Sequence, residues 1–302
     1  AQQAAAPTRV ARLREQEYLM LAKQGLGGEA AVTAAISPEQ LVCEHVERLI
    51  ATPGALQVLD FAGGRAQSVA VRALHGGALV GHEIRELRRH LPQGMEVRVA
   101  AIFRKGQAVK PEGITVIEAG DEVFFLAPQG AIKAMMSELR SADKRLTKRI
   151  FISGGGGIGR RLAKSLENRY SIKVLERSRE RARAIAEDLL NTIVLIGDCA
   201  DEDLLREENI DQTDVYMALT NDDEANILSA MLAKRLGCPR VMSLINRPSY
   251  AELVEGGSID IAVNPQLVTL SALLAPRPGV LPRVTVELPD LAGFDALLGV
   301  QA

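Results

Sequence analysis

A glycine-rich hexapeptide, GGGGIG at residues 154–159, has the composition and spacing of a phosphate-binding turn. It follows a short apolar run at 150–152 and opens an amphipathic segment typical of a helix. A second apolar run, 172–175, ends in Glu176. Strand, glycine turn, helix, strand and acid follow one another in the order that a dinucleotide-binding βαβ unit requires.

Each position of this motif predicts a specific contact. Gly154 allows the tight turn, Gly156 lets the backbone approach a pyrophosphate, and Gly159 lets the helix lie close to the strand. The helix start offers free N–H groups and a partial positive charge to phosphates. Glu176 can accept hydrogen bonds from a ribose diol. The alternative is a glycine turn that only packs, but the surrounding strands, helix and acid favour a nucleotide site.

Alternating strand and helix signals continue to about residue 275 and predict a Rossmann-type, doubly wound parallel sheet. Further strands are predicted at 193–196, 215–219, 241–245 and 259–263, with helices at 179–190, 201–208 and 226–236. Residues that follow strand ends are candidates for the ligand crevice, although Thr220 and Asn221 could equally be helix caps. The candidate nucleotide-binding residues are Gly154, Gly155, Gly156, Gly157, Ile158, Gly159, Glu176, Gly197, Asp198, Thr220 and Asn221.

The region before residue 148 has the pattern of a small, mostly β domain. Short apolar runs at 56–61, 69–71, 97–103, 114–117 and 123–126 predict strands, and 131–139 predicts a helix. Gly63 and Gly64 indicate a hairpin, and the polar segment 141–148 is typical of a linker. Gly120 and Asp121 are interpreted as a tight turn into a buried strand rather than as a ligand loop.

Composition excludes several classes of function. The net charge is −2 with no long basic tract, and aromatic residues make up only 3%, which argues against nucleic-acid binding. No apolar run approaches the ~20 residues of a membrane span, and no lipid-binding helix or lipidation motif is visible. The histidines show no metal-ligand spacing, and no metal site is predicted. The cysteines, expected to be reduced packing residues, are Cys43, Cys199 and Cys238.

The two ends of the chain resemble each other. The segments RVARL at 9–13, AISPEQL at 35–41 and PGAL at 53–56 recur in order as RVMSL at 240–244, AVNPQL at 262–267 and PGVL at 278–281. This similarity predicts a tandem repeat in which the chain begins inside one copy and ends as the small domain of the next copy begins.

Longer motifs resemble one family. They are ISPEQL at 36–41, PGALQV at 53–58, VAAIFR at 99–104, EAGDEVFF at 118–125, TNDDEANI at 220–227 and MLAKR at 231–235. Together they identify the chain as a member of the TrkA family, the cytosolic nucleotide-binding subunits of bacterial Trk potassium-uptake systems. The resemblance implies tandem RCK (KTN) modules, each with a Rossmann half and a small α+β C-terminal half, here incomplete at both ends.

The resemblance divides the chain into a remnant of a first Rossmann half at 1–52, a small α+β domain at 53–140, a second Rossmann domain at 148–278 and the start of a second small domain at 279–302. It also implies that Arg12 contributes to the first nucleotide site, which lacks its glycine loop here. The implied partners are an integral-membrane potassium transporter and further copies of the chain. The implied location is the cytoplasmic side of the membrane, reached through the protein partner and without direct lipid binding.

These features leave three candidate functions. The favoured one is a non-enzymatic regulator that senses nucleotides. The alternatives are an NAD-dependent oxidoreductase and a structural module with an empty site. An oxidoreductase needs an acid or base poised over the nicotinamide, and the sequence shows no convincing constellation. The expected ligand is NAD(H), with ATP or ADP as the alternative. Glu176 is expected to repel a ribose 2′-phosphate and so to disfavour NADP(H), an effect that Arg177 and Arg179 are expected to soften.

Overall fold

The computed structural model describes residues 10–12, 34–61, 66–91, 96–140, 147–254 and 257–274 of the chain. These residues divide between two compact units. The first contains the described parts of 1–50 and 146–273, and the second contains those of 51–145 together with Leu274. The first unit is built on a parallel sheet and the second on an antiparallel one.

The strands in chain order are β1 (Val10–Arg12), β2 (Ala34–Ile36), β3 (Ala55–Phe61), β4 (Ala66–Arg72), β5 (Arg98–Arg104), β6 (Gln107–Val109), β7 (Glu122–Ala127), β8 (Arg149–Ser153), β9 (Ser171–Glu176), β10 (Thr192–Ile196), β11 (Val215–Ala218), β12 (Val241–Leu244) and β13 (Ile261–Val263). The α-helices are α1 (Pro38–Ala51), α2 (Leu87–His90), α3 (Ile132–Leu139), α4 (Gly157–Leu166), α5 (Arg179–Asp188), α6 (Glu202–Glu207), α7 (Asp223–Arg235), α8 (Pro248–Val254) and α9 (Pro265–Leu274).

A six-stranded sheet with the order β10-β9-β8-β11-β12-β13 forms the centre of the first unit. All neighbouring strands are parallel, with Ile150 of β8 aligned with Ile172 of β9 and Val215 of β11. The chain moves outward from β8 to β10 and then returns to β11 on the other side of β8. The strand order therefore reverses between β8 and β11, where doubly wound sheets bind their ligands. The predicted fold class is confirmed.

Burial explains why the central strands are continuous apolar runs. Every residue of β11 and β12 is buried, and the rings of Phe151 and Tyr216 stack with their centroids 5.7 Å apart. Helices that cover both faces of a parallel sheet remove the alternation of apolar and polar residues seen in half-exposed strands. The edge strand β10 is different, because Ile193 and Ile196 remain about half exposed.

Side-chain caps set the starts of three helices in this unit. Ser178, Asp201 and Asp222 each accept a hydrogen bond from the backbone N–H three residues further on, at α5, α6 and α7 respectively. Such caps satisfy N–H groups that have no partner within the helix. The predicted start of the third helix at Asn226 is therefore wrong, because the Asp222 cap begins α7 at Asp223.

Helix α1 packs against α4 within the first unit. The Cys43 thiol lies 3.6 Å from the carbonyl oxygen of Ile158, and Arg161 Nη1 donates to Gln40 Oε1 at 3.1 Å. Burial raises the pKa of the Cys43 thiol to about 12, so this cysteine stays protonated and acts as a packing residue. A segment distant in sequence is thus held beside the helix that begins at the glycine loop.

The second unit is a five-stranded antiparallel sheet, ordered β3-β4-β7-β5-β6, with helix α3 against it. Val69 and Val71 from β4 and Phe125 from β7 are fully buried, as are Met135 and Leu139 from α3. Alternation of buried and exposed positions in β7 matches a sheet with one covered face. The prediction of a small α+β domain is confirmed.

One predicted strand of this unit, 114–117, is wrong. Its residues pair irregularly with the segment 81–85, through bonds such as Gly81 N to Ile117 O at 2.7 Å, and Val116 forms only an isolated bridge with Glu83. The turn at Gly120 and Asp121 is confirmed by the Asp121 N to Glu118 O hydrogen bond of 3.1 Å. Three expectations lie outside the described residues: the hairpin turn at Gly63 and Gly64, the linker over 141–146 and the tail over 279–302.

Candidate nucleotide-binding site

The glycine loop leaves β8 at the point where the strand order reverses. Gly154 has a φ of +105°, in the left-handed region that favours glycine. A Cβ atom at this position would lie 2.8 Å from the backbone of Leu219 and Thr220, directly after β11. The loop after β8 and the end of β11 are therefore in backbone contact, and only a glycine fits between them.

The next glycines differ in what surrounds them. Gly156 caps α4 with extended backbone, is exposed, and has no atom within 4 Å of the position that a Cβ would take. A Cβ on Gly155 would meet the side chains of Ile185 and Glu176, and one on Gly159 would collide with the carbonyl oxygen of Gly154. Gly159 thus allows the close approach of helix and loop, whereas the Gly156 backbone faces open space.

A carboxylate that the sequence did not indicate lies at the start of α4. The Glu39 Oε2 atom of helix α1 lies 2.8 Å from the Cβ position of Gly157 and 3.9 Å from Arg161 Nη2. A negative charge is favourable at a helix N-terminus because the first N–H groups are unpaired. The proximity of Glu39 depends on the packing of α1 against α4, and no local pattern predicts it.

Glu176 is buried, with 5% of its surface exposed, between the glycine loop and helix α5. Its Oε2 accepts from Gly155 N at 3.1 Å, and its Oε1 accepts from Ser178 N at 2.8 Å and from Arg181 Nη2 at 2.9 Å. Burial raises the pKa of this carboxyl group, but the bonds from Ser178, Arg181 and Gly155 outweigh it and leave the pKa below its ordinary value. Glu176 is therefore ionised at neutral pH and is already bonded to the loop.

The cation bonded to Glu176 is Arg181, which was not among the residues predicted from the sequence. Arg177 lies 3.9 Å from Asp198 and is largely exposed, and Arg179 is exposed on the first turn of α5. The expectation that Arg177 and Arg179 soften the discrimination against NADP(H) stays a prediction. The turn between β9 and α5 brings Arg181 back over the strand end, where it bonds to Glu176. The cap at Ser178 was the sequence signal for that turn.

Gly197 and Asp198 follow β10 and lie at the same sheet edge as Glu176. Glu176 is aligned with Ile196 in the parallel pairing, and Gly197 N donates to the Glu176 carbonyl oxygen at 3.2 Å. Asp198 is about half exposed and accepts from Ala200 N at 2.9 Å. The structure thus brings Gly154, Glu176 and Gly197 to the carboxyl ends of three adjacent strands.

Thr220 and Asn221 follow β11, and neither caps a helix, because Asp222 is the cap of α7. Thr220 Oγ1 donates to Asn226 Oδ1 at 2.7 Å, and Asn226 Nδ2 donates to the Leu244 carbonyl oxygen at 2.9 Å. The helix-cap alternative for Thr220 and Asn221 is therefore wrong. Asn226, missed in the sequence, is completely buried and ties the ends of β11 and β12 together.

A polar cavity of about 300 Å³ opens beside these residues at the ends of β11 and β12. One of its lining residues is Asp223, a buried carboxylate that accepts from the backbone N–H groups of Asn246 and Arg247 at 2.9 Å each. The lining residues are Asn221, Asp222, Asp223, Glu224, Asn246 and Arg247.

Other predicted features receive only a partial structural description. The backbone of Arg12 lies in β1, which pairs with β2 in a separate two-stranded sheet, and its side chain lies outside the described part.

Among the described residues, no group of three or more His, Cys, Asp or Glu side chains is arranged to hold a metal ion. Over the same residues, no helix has the length and apolar character needed to cross a bilayer. Cys43, Cys199 and Cys238 are free thiols.

A doubly wound parallel sheet with a glycine turn at its switch point, preceded in the chain by an antiparallel α+β unit, places this chain in the class of Rossmann-type proteins with an RCK arrangement. The TrkA-N domain family matches residues 150–265, and the TrkA-C domain family matches residues 69–140. These matches coincide with the parallel sheet and with most of the antiparallel unit. The chain belongs to the TrkA family of potassium-uptake proteins.

Curated relatives agree with this assignment. The chain is 54% identical over 270 residues to the Trk system potassium uptake protein TrkA of Vibrio alginolyticus, covering 89% of this chain and 58% of the relative. It is 50% identical over 270 residues, with the same coverage of each, to the protein of that name from Halomonas elongata. The chain thus spans less than two thirds of the length of these relatives.

Solved structures show the same fold. The crystal structure of the GsuK RCK domain has a TM-score of 0.59 and 19% identity, covering 88% of this chain and 55% of that one. The GsuK channel bound to NAD has a TM-score of 0.57 and 18% identity, covering 88% of this chain and 45% of the channel. At these identities the likeness concerns the fold alone.

Proposed function

We propose that this chain is a non-enzymatic, nucleotide-sensing regulator of potassium uptake, which binds its nucleotide at the glycine loop 154–159. The observation that carries the proposal is the position of this loop at the sheet's switch point, with an ionised Glu176 bonded to it from the adjacent strand. A pyrophosphate would meet the exposed Gly156 backbone and the start of α4, and a ribose would meet Glu176. The identity to the TrkA proteins supports potassium uptake as the process that is regulated.

The full proposed site extends beyond the loop to the neighbouring strand ends. Gly197 and Asp198 border the ribose side, and Thr220 and Asn221 border the opposite side at β11. Arg12 belongs to a separate, first site in the proposed tandem arrangement, with domain boundaries at 1–52, 53–140, 148–278 and 279–302. The proposed ligand is NAD(H), with ATP or ADP as the alternative, since all of these share a ribose and phosphates.

NAD(H) or an adenine nucleotide is expected to bind more tightly than NADP(H). The buried, ionised Glu176 carboxylate would repel a ribose 2′-phosphate, while it accepts a hydrogen bond from a ribose hydroxyl. Calorimetric titration of the purified chain with NAD, NADH, ADP, ATP and NADP measures this order directly. NADP as the tightest ligand would refute the assignment of Glu176, and failure of every nucleotide to bind would refute the proposed site.

An NADH oxidation assay on the same purified chain distinguishes a regulator from an enzyme. A dehydrogenase would need a second substrate and a proton-transferring group over the nicotinamide, and the proposal gives no described residue that role. Incubation of the chain and NADH with a panel of carbonyl compounds, followed at the NADH absorbance, is expected to show no turnover. Steady oxidation of NADH by one of these compounds would favour the alternative, an NAD-dependent oxidoreductase.

A regulator transmits ligand binding by linkage. A nucleotide shifts a conformational equilibrium only by its different affinity for the two states, typically ~1–3 kcal/mol of coupling free energy. In the first unit, the loop that would bind phosphate is continuous with α4, and α4 is packed against α1. We propose that ligand binding at the loop alters this packing and, through it, the contacts with an integral-membrane potassium transporter.

The chain is expected to reach the cytoplasmic face of the membrane through that transporter and to form homo-oligomers, because repeated units tend to bury matching faces in closed rings. The measurement is retention of the tagged chain by the transporter in detergent, compared with flotation on protein-free lipid vesicles. Binding to the transporter but not to vesicles is the expected result. Tight binding to bare vesicles without retention by the transporter would contradict the proposal.

A further inference from the structure

The two oxygens of the Glu176 carboxylate have different numbers of partners. Oε1 accepts from Ser178 N at 2.8 Å, from Arg181 Nη2 at 2.9 Å and from Arg181 Nε at 3.2 Å. Oε2 accepts only from Gly155 N at 3.1 Å. A carboxylate oxygen has about two lone-pair directions, so Oε1 is saturated and Oε2 retains one acceptor direction.

Arg181 covers this carboxylate from the solvent side. Its side chain is 64% exposed, whereas Glu176 is only 5% exposed, so the guanidinium closes the outer side of a buried anion. The backbone N–H of Arg181 is bonded to Ser178 Oγ at 3.4 Å, in the first turn of α5. Within the described residues, Arg181 is the only charged side chain hydrogen-bonded to Glu176, since the neighbouring Arg177 lies against Asp198.

We propose that Arg181 is a positioning and specificity-determining residue of the nucleotide site, acting on the ribose through Glu176. By occupying Oε1, the guanidinium leaves Oε2 as the atom available to a ribose hydroxyl of an adenine dinucleotide. Its partly exposed guanidinium also places a positive charge beside the atom that would bind that ribose, so Arg181 reduces the discrimination against NADP(H). This inference rests on the proposed nucleotide-binding function.

Two consequences distinguish this role from simple stabilisation of the helix start. Removing the guanidinium should weaken NADP more than NAD, because only NADP gains from its charge. Removing the guanidinium should also change the pH dependence of NAD binding. As the pH is lowered, NAD affinity should begin to fall at a higher pH than in the unmutated chain, because Arg181 is one of the groups that hold the Glu176 pKa below its ordinary value. A lowered pKa keeps the carboxylate ionised as the pH falls, so losing Arg181 brings protonation to a higher pH. Loss of a structural contact alone would change neither the NADP-to-NAD ratio nor the pH profile.

The experiment compares Arg181→Met, Arg181→Gln and Arg181→Lys with Arg183→Met by calorimetry with NAD and NADP, from about pH 8 down to about pH 5. Arg183 is a matched control because it is exposed on the same helix and pairs only with Glu187 in the described part. We expect Arg181→Met and Arg181→Gln to weaken NAD about fivefold and NADP about 30-fold at pH 8, in the range of a lost charge-assisted contact. Arg181→Lys should restore most of the NADP affinity, and Arg183→Met should change neither ligand.

Unchanged NAD and NADP affinities in folded Arg181→Met and Arg181→Gln proteins would overturn the inference. An equal loss for both ligands with an unaltered pH profile would also overturn it, because that result indicates a structural role. In both cases NAD still binds the unmutated chain, and the proposed function stands. If the unmutated chain binds neither ligand, the proposed function itself fails.

Discussion

Gly156→Val is expected to lower nucleotide affinity by about 100-fold or more while the first unit remains folded. The Cβ position of Gly156 faces open space, so the Cβ of a valine there has no protein atom within 4 Å. It would instead occupy the volume that a pyrophosphate needs in order to reach the backbone at the start of α4. Calorimetry with the tightest ligand of the wild-type chain measures the loss, and a thermal melt reports the fold.

Gly130→Val is the matched control for that variant. Gly130 also has no atom near its Cβ position, and it lies in the short turn Gln129–Ala131 of the second unit. It is expected to leave nucleotide affinity unchanged. A folded Gly156→Val protein with the affinity of the wild-type chain would show that the loop has only a structural role.

Gly159→Val is expected to act on stability and to cost about 3 kcal/mol of the free energy of unfolding. A Cβ at this position collides with the carbonyl oxygen of Gly154 and lies 3.3 Å from Ile152 Cγ2. The first clash is with backbone, which no side-chain rotation relieves, so either the loop or helix α4 must move. Urea denaturation followed by circular dichroism measures the change.

The two variants form a contrast within one loop. Gly156→Val should keep the unfolding midpoint near that of the wild-type chain, whereas Gly159→Val should lower it clearly. If Gly159→Val unfolds at the wild-type midpoint, the close approach of α4 to the loop is not needed for the fold. If both variants destabilise equally, the open space at Gly156 is not as the structure describes it.

The sequence by itself determined the order of elements in the first unit, because each depends on a pattern within a few residues. The apolar run before Gly154, the glycine spacing and the acid at Glu176 predicted strand, turn, helix and strand, and the parallel sheet confirms them. The φ of +105° at Gly154 agrees with the predicted tight turn. The prediction of a strand at 114–117 was wrong because this segment pairs through its backbone with the irregular segment 81–85. The local hydropathy pattern does not reveal that partner.

The environment of the candidate site was decided only by the tertiary structure. Arg181 reaches Glu176 because the turn capped by Ser178 reverses the chain, and the sequence pattern alone did not indicate this contact. Glu39 reaches the start of α4 only because helix α1 packs against α4. The two helices are more than one hundred residues apart in sequence. Asn226 was missed because it lies within α7, and its partner at Leu244 is on another element.

These differences have one physical cause. Backbone conformation responds to neighbouring residues through sterics, capping and the spacing of apolar side chains, so local patterns are sufficient to predict helices and strands. Which charged groups share a site, and therefore the pKa of Glu176, depends on distances set by packing between elements far apart in the chain. The proposed nucleotide preference of the loop depends on those distances, and only the folded chain specifies them.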